Sequence, residues 1–160
     1  MQRHVLVLAM AGFVALAGGT PSGGEIFKLE IGRPIAGGTQ TKNKAVLVAR
    51  PLCCDPATVR ITATAEGIVN GRRQSIPLEV DTLDMPGVHA IARQWPDGQW
   101  VINLTGHCAE RSTMTSAVVP LGPAGFVREE IRIFNRVATA AEVDAALRVA
   151  RAIKTSPSRS

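Results

Sequence analysis

Residues 58–69 (TVRITATAEGIV), then Asn70-Gly71, then residues 72–80 (RRQSIPLEV) decide the fold class. The first run is rich in β-branched residues and alternates in part, which is the period of a strand with one buried face. Asn-Gly between two such runs is a strong hairpin signal, because both central residues of a type I′ turn need positive φ. An antiparallel hairpin is therefore predicted here, and the rest of the chain is read outward from it.

Downstream, Pro86-Gly87 opens a strand candidate at residues 88–95, and Pro96-Asp97-Gly98 turns the chain into residues 99–105 (QWVINLT). Trp100, Ile102 and Leu104 fall on one face of that return strand, while Gln99, Val101, Asn103 and Thr105 fall on the other. The pattern reads as a half-buried antiparallel strand. Residues 45–49, 115–121 and 126–134 are further candidates. Strands at short spacing, separated by Gly and Pro, predict an immunoglobulin-like antiparallel β-sandwich of about seven or eight strands over residues 44–135. One helix is predicted to follow, over residues 136–155. Thr139-Ala140-Ala141-Glu142 has the form of a capping box. Val143, Ala146, Leu147, Ala150 and Ile153 then make one narrow apolar stripe, which is expected to pack back on the sandwich. Residues 156–160 are expected to form a disordered tail.

Upstream, Arg3 precedes an apolar run at residues 5–17 (VLVLAMAGFVALA), which ends in Ala15-Leu16-Ala17 and is followed by Gly, Thr, Pro and Ser. That order is the charged, apolar and small-residue sequence of a secretory signal peptide, with residues 1–17 removed. An uncleaved anchor is the alternative; the run is short for spanning a bilayer. Residues 18–43 hold seven of the fifteen glycines and read as a flexible lead-in, with a possible edge strand at residues 26–31. The expected location is exported, periplasmic or extracellular. Hydrophobic residues at 46% and charged residues at 19% exclude wholesale disorder. Aromatics are 4% with no tyrosine, and the excess positive charge is scattered, so neither a base-stacking surface nor a nucleic-acid stripe is read.

Three cysteines, Cys53, Cys54 and Cys108, enter the oxidising compartment. A disulfide from Cys53 or Cys54 to Cys108 is the expectation. The spacing does not choose between the two, and the spare thiol is free or joins two chains as a homodimer. The alternative is a copper or zinc site drawn from Cys53, Cys54, Met85, His89, His107 and Cys108, with Met114 as a further soft donor. Its spacing is poor: if the strand continues, His107 and Cys108 point to opposite faces.

The sequence contains no G-x-S-x-G, H-E-x-x-H or phosphate-binding loop. Glu66, Glu79, Asp81 and Asp84 lack the spacing of an acid–base pair and read as solvated strand and turn positions. No catalytic residue, cofactor or enzymatic activity is expected. Residues 86–104 (PGVHAIARQWPDGQWVINL) resemble the P-G-x-Y…G-x-W hairpin of small secreted immunoglobulin-like domains, loosely the YtkA-like and FixH-like proteins, with His89 where those domains carry Tyr. The resemblance implies the sandwich and, through some members of that group, copper handling or oxidase assembly. The sequence reading is an exported, non-catalytic binding or accessory module for a protein or envelope component. A periplasmic copper-delivery protein is the alternative.

Overall fold

The computed structural model describes residues 26–35, 44–52 and 54–155. The predicted signal segment, most of the lead-in, Cys53 and the tail lie outside the described residues. The chain is mainly β: two packed antiparallel sheets and one C-terminal helix. The four-stranded sheet runs β1 (Lys28–Gly32), β2 (Ala45–Leu52), β6 (His89–Ala92), β5 (Asp81–Thr82). The six-stranded sheet runs β10 (Arg132–Phe134), β8 (Thr113–Gly122), β7 (Gln99–Cys108), β3 (Val59–Val69), β4 (Arg72–Leu78), with β9 (Gly125–Phe126) paired to β8.

The β3–β4 hairpin forms in the predicted register. Val69 pairs with Arg72, and Asn70 and Gly71 turn the chain at φ 50° and 74°. Pro77 is tolerated in β4 because that strand is a sheet edge. The sandwich begins earlier than residue 44: β1 pairs with β2, and Phe27, Leu29 and Ile31 enter the core. Residues 126–134, read as one strand, instead divide into β9, a 3-10 turn at Arg128–Glu130, and β10. Three successive charged residues give no alternation with which to continue a strand. These short pieces, with β5, raise the count to ten strands among the described residues.

The inter-sheet core is built on β7. Trp100, Ile102 and Leu104 are buried there with Leu47, Ile91, Ala63 and Ala65. The opposite face of β7 is not left to solvent, contrary to the half-buried reading. Helix α1 (Ala140–Thr155) covers it, burying Val143, Ala146, Leu147 and Ala150 against Val101 and Val118. Each larger apolar side chain so covered contributes roughly 1.5–3 kcal/mol. An alternating sequence marks only the residues facing each way; it does not reveal that a distant helix closes the second face.

The helix start is fixed by the predicted capping box. Thr139 N donates to Glu142 Oε2 at 2.7 Å, and Glu142 N donates to Thr139 Oγ1 at 3.4 Å. Arg136 adds a bidentate pair to the same carboxylate, at 2.7 and 2.8 Å. Together the guanidinium and the Thr139 amide hold the Glu142 carboxyl at about 2. Ser116 Oγ donates to Arg136 O at 2.7 Å, so the entry to the helix is tied to β8. An ion pair between Arg73 and Asp144 ties the helix to β4.

Trp100 is 2% exposed and lies across β3 at Gly67, its register partner. A Cβ at Gly67 would stand 2.3 Å from Trp100 Cε3, so this glycine is required by the indole above it. Trp100→Ala is expected to cost about 3–5 kcal/mol in guanidinium unfolding. Gly67→Ala is expected to cost about 1–3 kcal/mol in the wild-type background and much less in the Trp100→Ala background. Additive losses in the double variant would mean that the glycine does not serve the indole.

Candidate binding cleft

Where β6 passes into β7, the chain turns through Pro96-Asp97-Gly98 beside the β8–β9 turn. The two turns, the start of β2 and the last part of α1 surround a cleft of about 420 Å³. Its walls include Val46, Trp95, Trp100, Leu121, Pro123 and Ala150. Arg93, Asp97, Gly98 and Gln99 stand along the β6–β7 side. This volume falls in the range of small-ligand sites.

Local bonds hold the cleft walls. Arg93 Nε donates to Trp95 O at 3.2 Å, and the Arg93 guanidinium pairs with Asp97. Asp97 is fully exposed, so that pair orders the turn more than it stabilises the fold. Gln94 reaches across to the chain after β4: Glu79 N donates to its Oε1 at 2.8 Å, and its Nε2 donates to Glu79 O at 3.0 Å. Arg151 Nε donates to Gln99 Oε1 at 3.3 Å, linking α1 to the first residue of β7. On the other rim, Leu121 pairs with Phe126 and Gly122 with Gly125.

Inside this frame the Trp100 indole Nε1 is buried with no hydrogen-bond partner in the protein. It faces Gly98, where a Cβ would stand 2.9 Å from Nε1. A donor-only group in that state is uncommon, because buried N–H groups are ordinarily satisfied. Among the described residues two other buried side-chain atoms share the condition, His89 Nε2 and Asn103 Oδ1, but neither residue lines this cleft.

At the far end of β7, Cys54 and Cys108 form a disulfide with Cα atoms 6.3 Å apart. The structure thus selects Cys54 over Cys53 as the partner of Cys108. The remaining metal candidates are dispersed. Met85 is half exposed on the turn before β6. His89 begins β6 in the four-stranded sheet, opposite Ala49. His107 lies in the six-stranded sheet, paired across strands with Arg60 and Met114. Its neighbour Cys108 is fully buried in the core, so the two do point to opposite faces. Two pairs are brought together, Cys54 with Cys108 and His107 with Met114. The set as a whole is not, and the bridged sulfurs offer no thiolate. Among the described residues no three His, Cys, Asp or Glu side chains are grouped to hold a metal ion.

No known protein family, curated protein or solved structure matches this chain. The resemblance of residues 86–104 to YtkA-like and FixH-like domains thus has no family match behind it, and the architecture stands as a β-sandwich. The cleft was not read from the sequence. Residues 88–95 read as a strand, which in the structure ends at Ala92, residues 96–98 as a turn, and Trp100 as core filling. The available signal was a glycine two positions before a tryptophan, with a second tryptophan just across the turn.

With Cys54 and Cys108 bridged, the unreduced protein is expected to show one titratable thiol per chain, from Cys53, or none if two chains are cross-linked. Thiol titration in denaturant checks this; three reactive thiols would contradict the bridge. A pH dependence is also expected. Burial pushes His89 below its ordinary 6.5. The unfolded chain therefore takes up this proton first, and the stabilisation, complete above pH 6.5, is lost as pH falls toward the folded value. The denaturant midpoint should drop between pH 7.5 and 5.5, and by less in His89→Gln.

Proposed function

We propose that this chain is an exported, non-catalytic, immunoglobulin-like binding module of the cell envelope, with the cleft between the β6–β7 and β8–β9 turns as its site. The observation that carries the reading is the cleft itself. It is lined by two indoles and framed by side-chain tethers that join the turn, the helix and the strand edges, and such a preformed site loses little ordering entropy on binding.

Export is supported by the order of charge, apolar run and small residues before residue 18, and by the Cys54–Cys108 bridge. A binding role over a catalytic one is supported by four carboxylates that serve ion pairs of the fold. Glu30 pairs with Arg50, Glu66 with Arg73, Asp144 with Arg73 and Glu142 with Arg136. Each holds two parts of the fold together. The immunoglobulin-like assignment rests on the two packed antiparallel sheets and the indole filling the space between them.

The test is expression of the full chain in a Gram-negative host, followed by titration of the periplasmic protein with fractionated envelope extract. A mature chain starting near Gly18 is expected, with a saturable change in tryptophan fluorescence for one fraction and no consumption of its components. Val46→Phe, which narrows the cleft from the four-stranded sheet, is expected to weaken that response at least tenfold. An unprocessed cytosolic chain, a response in no fraction, or turnover of a component would each overturn the reading.

A further inference from the structure

β4 is the outermost strand of the six-stranded sheet, and the hairpin that forms it fixes the chemistry of its free edge. The chain turns through two residues of positive φ, so Val69 and Arg72 are the hydrogen-bonded pair that closes the hairpin. Bonded and non-bonded pairs alternate from there. Arg72, Gln74, Ile76 and Leu78 therefore turn their backbone groups to β3, while Arg73, Ser75 and Pro77 turn theirs outward. Pro77 fits that phase, because the N–H it lacks faces away from β3. The edge thus offers two N–H groups, at Arg73 and Ser75, and three carbonyls. Nothing among the described residues bonds to them.

Free edges are commonly blunted by charged side chains that reach over them. Here the side chains beside the open backbone are drawn onto the sheet. Ser75 Oγ donates to Glu66 Oε1 at 2.6 Å. Arg73 pairs with Glu66 and with Asp144 of α1. The helix itself packs on Val101 of β7 and Val118 of β8, away from the β4 edge.

The two ends of the edge differ in charge. Arg72 at its head is exposed and makes no ion pair among the described residues. Glu79 and Asp81, just past its end, are exposed and equally without an ion pair. An antiparallel strand of the same sequence lays the positive head of each copy against the negative end of the other. Centred on Ser75, such a pairing sets each Arg73 opposite the second copy's Pro77, and each Arg72 opposite the second copy's Leu78, beside Glu79. Every outward N–H then meets a carbonyl and no cation directly faces a cation. Only the Arg73 carbonyls, opposite a proline nitrogen, stay unpaired.

We propose that β4 joins two copies of this chain, edge to edge and antiparallel, into a two-fold dimer in which the six-stranded sheets are continuous. The contact is isologous, so it closes on itself and leaves no β4 edge for a third copy. A pair of seven-residue strands makes a small interface, and the dimer is a reversible one. The inference does not depend on what the cleft binds; it places two clefts in one assembly.

The spare thiol is removed by Cys53→Ser, so that any pairing measured is non-covalent. Sedimentation velocity of that protein is expected to show a monomer–dimer equilibrium, half complete at a concentration on the order of 100 μM. Amide exchange at Arg73 and Ser75 is expected to slow as the concentration rises, with no comparable change at Gln74, which is already bonded to β3. Ser75→Pro deletes the donor at the two-fold centre and leaves the β3–β4 ladder intact; it is expected to weaken association at least tenfold. Should that variant fail to fold, a charge exchange applies the same test. Arg72→Glu is expected to weaken association about tenfold, since both symmetric contacts change sign, and Arg72→Glu combined with Glu79→Arg to recover it.

A protein that stays monomeric up to about 1 mM overturns the inference. A dimer that Ser75→Pro, or in its place the charge exchange, leaves unchanged forms on another surface and also overturns it. So does protection of the Arg73 and Ser75 amides by an alternating Asp-Val peptide where a second copy gives none, which would make the edge a site for a foreign strand. No ligand is present in these measurements, so their failure leaves the binding-module reading standing, and a failure of that reading leaves the dimer standing.

Discussion

Trp100 lying over Gly67 is the contact on which the sandwich depends. The two residues are partners across β3 and β7, the central strands of the six-stranded sheet. The absence of a side chain at Gly67 lets the indole pack closely against the neighbouring strand within the space between the sheets. With the ring lowered, Ile102 and Leu104 on the same strand meet Leu47 and Ile91 of the other sheet in one continuous core. Interiors packed to crystal-like density transmit such a choice widely. The position of one ring sets the spacing at that end of the sandwich.

β7 also divides the molecule lengthwise. Gln99 stands at the cleft, and Cys108 closes the other end in the bridge to Cys54, about 30 Å away along an extended strand. The bridge closes a loop with a sequence separation of 54, which contributes about 4 kcal/mol in the chain-entropy view. The cleft end has no covalent tie among the described residues. It is held by Gln94 on Glu79, Arg151 on Gln99, and α1 packed over Val101 and Val118. Local opening follows the weaker constraint, so the cleft end is expected to open before the bridged end.

Much of this architecture was legible in the sequence. Asn70-Gly71 specified a turn that needs positive φ twice, and the Thr139 and Glu142 spacing specified a cap whose two hydrogen bonds form as read. Alternation along residues 99–105 placed Trp100, Ile102 and Leu104 on the inner face. Each of these signals is local, which is why a single sequence carries it. Three features were not local. The choice of Cys54 over Cys53 depends on which Cα the end of β2 brings near Cys108. The cover over Val101 depends on a helix some forty residues later in the chain. The break at Arg128–Glu130 was present as a charged triplet, but it sat inside a run that apolar residues at both ends made look continuous.

The cleft was illegible for a related reason. Its walls come from β2, the β6–β7 turn, the β8–β9 turn and α1, segments whose proximity exists only after both sheets and the helix have packed. The sequence showed Trp100 as a large apolar residue at an inward position, and by area that is what it is. Its nitrogen is a small part of the side chain and leaves no trace in a hydropathy pattern. Burying the ring stabilises the fold through its carbon surface whether or not the N–H finds a partner, so folding alone does not require an acceptor beside it. A fold selected only for stability would gain by supplying one, since an unpaired buried donor is a net cost.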